Sequence, residues 1–331
     1  MPHAAQHGRR GQPNAQQPHG PDRNDHLLIK FDQHEPLPDA PLGVRIRTSP
    51  RLRRFVPNAL AVARARRKAK RLWRRDPDLR ARSRREVELI VSNTRWSERL
   101  EELAYLRAVE NEIARTLLWQ PWKVSCDSAA SRTNMAEALS RKSFIVSFCH
   151  LGPFHCVTVP LQRAGREIIY VSDPWIFEPP EASYWGRRVV RIRQGVAGKA
   201  RHIAARGSYS TLRSLLREGA AVGIAFDVPG GRQTRFLGKE VWLADGTARL
   251  AAETGVAVIP ARTRRVKGRV VCDYAEALLP EKLRTVEAIH DALAWVHEQF
   301  ILEEPHCLED PGRPGSWGAG ATTTAWRKPS Q

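Results

Sequence analysis

The sequence contains no uninterrupted apolar run near the roughly 18 residues that a membrane-spanning helix requires. Its longest candidate, residues 55–65, is broken by Pro57, Asn58 and Arg64. The opening residues, Met1-Pro2-His3-Ala4-Ala5-Gln6-His7, lack the apolar core of a secretory signal, so neither an integral membrane protein nor a secreted one is expected. Cysteine is scarce as well. Five residues (Cys126, Cys149, Cys156, Cys272 and Cys307), scattered and odd in number, exclude a disulfide scaffold and read as reduced cytosolic thiols. Acid is the third shortage: 35 Asp and Glu face 54 Lys and Arg, a net charge of +19. The 331 residues admit one large domain or two small ones, and the 42% apolar share fits a soluble globular protein with a sizeable core.

The excess charge is local. Residues 45–85 hold 17 Arg and Lys against two acids, Asp76 and Asp78, a net of +15 that leaves +4 for the rest. Within this block, residues 55–73 mix good helix formers with apolar Phe55, Leu60, Val62, Leu72 and Trp73. Such a segment can lie on an anionic bilayer, where each Lys or Arg near the surface contributes on the order of 1 kcal/mol. It can equally bind nucleic-acid phosphates or stand as a solvated arm. No zinc-finger or RNA-binding sheet signature accompanies it, which disfavours nucleic acid.

Residues 1–45, rich in His, Gln, Pro, Asn and Asp without periodicity, are expected to form a disordered polar tail. Residues 46–85 are the basic amphipathic segment, 86–309 an α/β domain, and 310–331, dominated by Pro, Gly, Ser and Thr, a second loose tail. The spacing of Val87, Leu89, Ile90, Leu100, Leu103, Leu106, Val109, Ile113 and Leu117 predicts one or two amphipathic helices. Beyond Met135, apolar strand-like runs at 143–149, 167–171, 221–226 and 256–260 alternate with helical stretches at 136–140, 157–163, 210–218 and 247–254. Gly219 and Gly255 stop the last two helices, and Lys267-Gly268 marks a hairpin. Strands apolar on both faces, alternating with helices, imply a mostly parallel central sheet flanked by helices.

One element carries reactive chemistry: Cys149-His150-Leu151-Gly152-Pro153-Phe154-His155-Cys156, directly after the first apolar strand. A histidine at the carboxyl end of a buried strand, followed by a Gly-Pro turn, sits where α/β proteins hold reactive groups. With an ordinary pKa near 6.5, its imidazole can take a proton from a hydroxyl at neutral pH. A group on the second ring nitrogen must fix the tautomer, and His155, five residues on, is the local candidate. The same octapeptide offers four N and S metal ligands, but adjacent strand residues point to opposite faces, which separates Cys149 from His150. Two histidines satisfied in the core are the structural alternative. Cys156 is a weaker nucleophile candidate, with nothing but a helix N-terminus to lower its pKa.

Here the chain resembles the lysophospholipid-acyltransferase-like superfamily, and within it the lipid A biosynthesis (late acyltransferase) and phosphatidylinositol mannoside acyltransferase branch. The likeness runs from about Val87 to Trp317. The family's first block, His, four residues, then a carboxylate, stands here as His150-Leu151-Gly152-Pro153-Phe154-His155. Later blocks follow in order: Gly219 through Asp227, Phe236-Leu237-Gly238-Lys239, Asp245-Gly246-Thr247-Ala248-Arg249-Leu250-Ala251, and Glu253-Thr254-Gly255 through Pro260.

The resemblance implies transfer of a fatty acyl group from an acyl thioester, coenzyme A or acyl carrier protein, to a hydroxyl of a lipid or glycolipid. His150 would be the general base and His155 its orienter. Gly152, Arg206, Asp227, Phe236 and Gly238 would contact substrate. No metal and no cofactor beyond the thioester cosubstrate is implied, and the expected location is cytoplasmic, peripheral on the inner face of the cell membrane. The departure is His155, which stands where the family has a carboxylate and brings no negative charge to favour an imidazolium. A differently tuned enzyme, a carboxylate supplied from elsewhere (Asp227 or Asp173), or a catalytically silent acyl-binding protein would each fit. Asp227 also reads as a strand-end cap for the turn that follows it.

Overall fold

A computed structural model describes residues 55–117, 123–172 and 201–309, together with Leu28, Ile29, Leu42, Gly43, Leu52 and Pro311. The tails expected at 1–45 and 310–331 lie otherwise outside the described residues, as does Asp173. Leu28 and Ile29 form a two-residue strand, an addition to the sheet from within the segment expected to be disordered.

The basic segment folds as helix α1 (Asn58–Arg75), followed by α2 (Pro77–Val91) and α3 (Leu100–Leu117). Asp76 and Pro77 explain the break. The Asp76 carboxylate accepts from the Leu79 N–H at 2.9 Å, and Pro77 occupies the first turn, where a missing N–H costs nothing. Asp78 also lies in that turn, so both acids of the basic block serve the positive end of α2. Ala61, Ala65 and Ala69 form the buried stripe of α1, against Val109, Ile113 and Leu117 of α3. On the opposite side Leu60, Arg64, Arg67, Arg71 and Arg74 recur every three or four residues and are exposed. The segment is therefore docked rather than a solvated arm. The expected boundary at 85/86 falls inside α2, and Glu86 of α2 pairs with Arg107 of α3 at 2.9 Å.

The sheet has eight strands among the described residues. In chain order they are β1 (Leu28–Ile29), β2 (Val124–Ser125), β3 (Phe144–Phe148), β4 (Ile168–Ser172), β5 (Arg201–Ala204), β6 (Ala221–Ala225), then β9 (Ala257–Val266) and β10 (Arg269–Tyr274). Across the sheet they run β1-β5-β4-β6-β3-β9-β10-β2. The five central strands, β5, β4, β6, β3 and β9, are mutually parallel; β1 pairs antiparallel with β5, and β10 pairs antiparallel with β9 and parallel with β2. The remaining strands, β7 (Pro229–Phe236) and β8 (Lys239–Leu243), form a separate antiparallel hairpin.

Alternation along β3 divides the core. Ile145 and Cys149 face a cluster with α6 (Tyr209–Glu218), α7 (Gly246–Thr254) and α9 (Val286–Glu303), to which α2 and the β7–β8 hairpin also contribute. Phe144, Val146 and Phe148 face the opposite cluster with α4 (Ala129–Ser140) and α5 (Val159–Arg163). Each fully buried Ile or Phe in these layers contributes about 1.5–3 kcal/mol, which is why both faces of the central strands are apolar. The short helix α8 (Pro280–Leu283) precedes α9, whose N-terminus is capped by the Thr285 hydroxyl. Gly219 and Gly255 end α6 and α7 at φ 108° and 70°, a backbone that glycine adopts without strain. The architecture is α/β, as the sequence implies. Among the described residues no helix is long and apolar enough to cross a membrane.

Candidate active site

Sheet register builds the site. β3 and β6 are parallel neighbours, with Phe148 opposite Ala225, so the residues two places further on, His150 and Asp227, emerge side by side at the carboxyl edge. His150 Nδ1 lies 2.8 Å from Asp227 Oδ1, and the His150 backbone N–H donates to Asp227 Oδ2 at 2.9 Å. One carboxylate thus grips both the ring and the main chain of the histidine. The Asp227 side chain is 3% exposed and that of His150 33%.

Burial pushes the Asp227 carboxyl upward, but the His150 ring and its two hydrogen bonds outweigh this and hold it below the usual carboxylate range. An ionised Asp227 bound to Nδ1 fixes the tautomer with the proton on Nδ1 and the basic lone pair on Nε2. Phe154 packs edge-on against the imidazole at 4.6 Å and stacks on Phe148.

The orienting position is therefore filled by Asp227, from a different strand, and not by His155. After Gly152 and Pro153 the chain enters a 3-10 turn, Phe154–Cys156, where the His155 ring lies edge-on to Phe154. Asp227, expected to contact substrate, instead has both oxygens engaged by His150 in the interior.

Gly152 adopts φ 59°, and a Cβ there would stand 3.0 Å from the Thr263 carbonyl oxygen. Its N–H donates to the Cys307 carbonyl at 2.9 Å, so this amide is committed to the fold. Phe236 is buried against Phe226, and Leu237-Gly238 make the tight turn of the β7–β8 hairpin. Gly238 meets Asn93, whose Nδ2 donates to its carbonyl at 3.0 Å. These two residues build the hairpin. Arg206 is exposed in the turn after β5, at the same sheet edge as His150 and three strands along from β3. The structure thus joins His150 and Asp227, keeps Gly152 in the same loop as His150, and gives Phe236 and Gly238 places in the β7–β8 hairpin.

The cysteines are not activated. Burial pushes the Cys149 and Cys156 thiols well above their ordinary range, Asp227 adding to the effect at Cys149. Among the described residues no group of three or more His, Cys, Asp or Glu side chains could hold a metal ion.

Two further features lie close to the pair. His297 of α9 is buried, bonds the Ser147 hydroxyl on β3 at 2.9 Å and stacks on Phe226. Burial lowers its pKa to about 4, so it is neutral at pH 7. The segment at residues 305–309 lies across the His150 loop, with Leu308 bridging to Leu151. Neither feature is evident from the motif alone. Arg107 leaves a trace in sequence, as a charge on the same helix face as apolar Leu103 and Ala104.

The fold is similar to the crystal structure of the 1-acyl-sn-glycerophosphate (LPA) acyltransferase PlsC from Thermotoga maritima. The match covers 76% of this chain and 97% of that one, at 16% identity and a TM-score of 0.34. No protein-family profile matches the chain, and no curated protein matches it in sequence.

Proposed function

We propose that this protein is an acyltransferase that moves a fatty acyl group from an acyl thioester, coenzyme A or acyl carrier protein, to a hydroxyl of a lipid or glycolipid. The observation that carries this reading is the His150–Asp227 pair at the carboxyl edge of the parallel sheet, inside the ordered set of sequence blocks that resemble acyltransferases. In this mechanism His150 Nε2 removes the proton of the acceptor hydroxyl as its oxygen attacks the thioester carbonyl. Asp227 stays ionised and stabilises the imidazolium. The tetrahedral intermediate collapses, the C–S bond breaks, and the thiolate takes the proton back from His150. A catalytically silent acyl-binding protein is the alternative where His150 has no carboxylate beside it. The carboxylate of Asp227 favours catalysis over that reading.

The partner surface is proposed to be an anionic bilayer at the cytoplasmic face of the membrane. The outward stripe Leu60-Arg64-Arg67-Arg71-Arg74 combines charge with exposed Phe55 and Leu60. Asn58 Nδ2 bonds the Gly268 carbonyl at the tip of the β9–β10 hairpin. β9 continues beyond Ala261, the partner of Phe148, to Val266, so that hairpin overhangs the edge bearing His150. A bilayer against this stripe would meet the end of the molecule where the acceptor is used.

The test is thiol release from a panel of acyl-coenzyme A and acyl-carrier thioesters with lipid extracts and anionic liposomes. Turnover by wild type that His150→Ala abolishes supports the proposal. Equal release by the two proteins overturns it.

A further inference from the structure

The His150 loop is held by a strap from near the far end of the described chain. Cys307 O accepts the Gly152 N–H at 2.9 Å, and the Glu309 N–H donates to His150 O at 2.7 Å. Residues 305–307 form a 3-10 turn that leads into extended Leu308, and the carbonyls of His306 and Leu308 face α3. There they meet Arg107: Nη1 donates to His306 O at 3.4 Å and, in a short bond, to Leu308 O. Nε of the same guanidinium donates to Glu86 Oε2 at 2.9 Å. Arg107 is 2% exposed, the bulkiest of the fully buried side chains.

We propose that Arg107 is a positioning residue for His150, acting through the strap at residues 305–309. Its planar fork serves a carboxylate and two main-chain carbonyls at once, which the single ammonium of lysine cannot reproduce. Without the fork the buried carbonyls at 306 and 308 lose their donor, the strap loosens, and the 307 and 309 bonds that fix the His150 main chain weaken with it. Misplacing a catalytic group by about 1 Å costs on the order of 10²-fold in rate. The kinetic part of this inference rests on the acyl-transfer reading; the structural part does not.

The experiment compares wild type with Arg107→Met by hydrogen exchange and by acyl-transfer kinetics. Exchange in segments 150–152 and 305–309 should accelerate at least tenfold, while β3 and β6 keep their protection. The kcat should fall about 10- to 100-fold with the KM for the thioester within twofold. Wild-type exchange in both segments overturns the proposal, and so does acceleration spread evenly over the sheet. If Arg107→Met does not fold, Arg107→Lys is read by the same criteria, and wild-type exchange there overturns it. If wild type transfers no acyl group, the function proposed above fails while the exchange result still decides the role of Arg107.

Discussion

Asp227→Asn is the perturbation that bears most closely on the mechanism, because the carboxylate accepts two hydrogen bonds, from Nδ1–H and from the main-chain N–H of the same residue. An amide of the same shape has one acceptor oxygen and one NH₂ donor. If the oxygen keeps the main-chain bond, the NH₂ faces Nδ1, and the ring must move its proton to Nε2, the atom required as base. If the oxygen keeps Nδ1–H, two donors collide at the His150 main chain. Either way the negative charge that stabilises the imidazolium is gone. An Asp-to-Asn change at the analogous position of a Ser-His-Asp triad costs about 10⁴ in kcat. His150 is one-third exposed, and water recovers part of that loss, so a fall of about 10² to 10⁴ in kcat is expected, roughly 3–5 kcal/mol in barrier. The assay is thiol release at saturating thioester, with circular dichroism confirming the fold. An Asp227→Asn protein within threefold of wild-type kcat, alongside an inactive His150→Ala, would refute the carboxylate's role.

Other outcomes are equally specific. His155→Asp should bring no gain in rate, because Nδ1 of His150 is already bound by Asp227; a rise above threefold in thiol release would reinstate position 155 as the orienter. His297, whose folded pKa of about 4 lies below its unfolded value near 6.5, makes the unfolded chain bind more protons in that window, so stability falls as pH falls from 6.5 to 4. The loss is about 2 kcal/mol at pH 5 and about 3 at pH 4. Urea denaturation across this range should show a shallower slope in His297→Gln, and an identical slope would exclude His297 as a source. Gly238→Ala places a Cβ 2.5 Å from the Asn93 carbonyl oxygen at φ 70°, so a drop of several °C in Tm is expected by calorimetry; an unchanged Tm would show that the hairpin is not held there. Changing Arg64, Arg67, Arg71 and Arg74 together to Gln should weaken sedimentation with anionic liposomes by on the order of 10²–10³ without unfolding α1, since none belongs to its alanine stripe. Unaltered sedimentation would point to another surface.

Much of the scaffold is legible in the sequence because it depends on local signals. β3 and β6 are apolar runs too uniform for a surface strand, Gly219 and Gly255 stop their helices, and Lys267-Gly268 turns β9 into β10. His150 is legible as well, since a histidine just past such a strand lies at the carboxyl edge of the sheet, where α/β proteins hold reactive groups. Its partner is not. The choice of Asp227 depends on β6 lying beside β3, a pairing across 77 residues, whereas proximity in sequence points to His155. Gly152 at positive φ and the 3-10 turn send residue 155 elsewhere. The β7–β8 hairpin is harder to read because its strand from Pro229 is mostly exposed and rich in Gly and Arg. In α9, His290 and His297 sit within the buried stripe of Ile289, Leu293, Ala294 and Ile301, and interrupt the apolar pattern that would reveal it. The strap at residues 305–309 acts through main-chain atoms, which no side-chain motif reports.

The central claim, that His150 activates a hydroxyl for acyl transfer, is tested most directly by looking for the acylated product. Purified protein would be incubated with acyl thioesters and lipid extract, and the lipids analysed by mass spectrometry. Wild type should yield a lipid heavier by one acyl group and one equivalent of free thiol, and His150→Ala should yield neither. Product formation by His150→Ala at the wild-type rate, or its absence with wild type across the whole panel, would contradict the account.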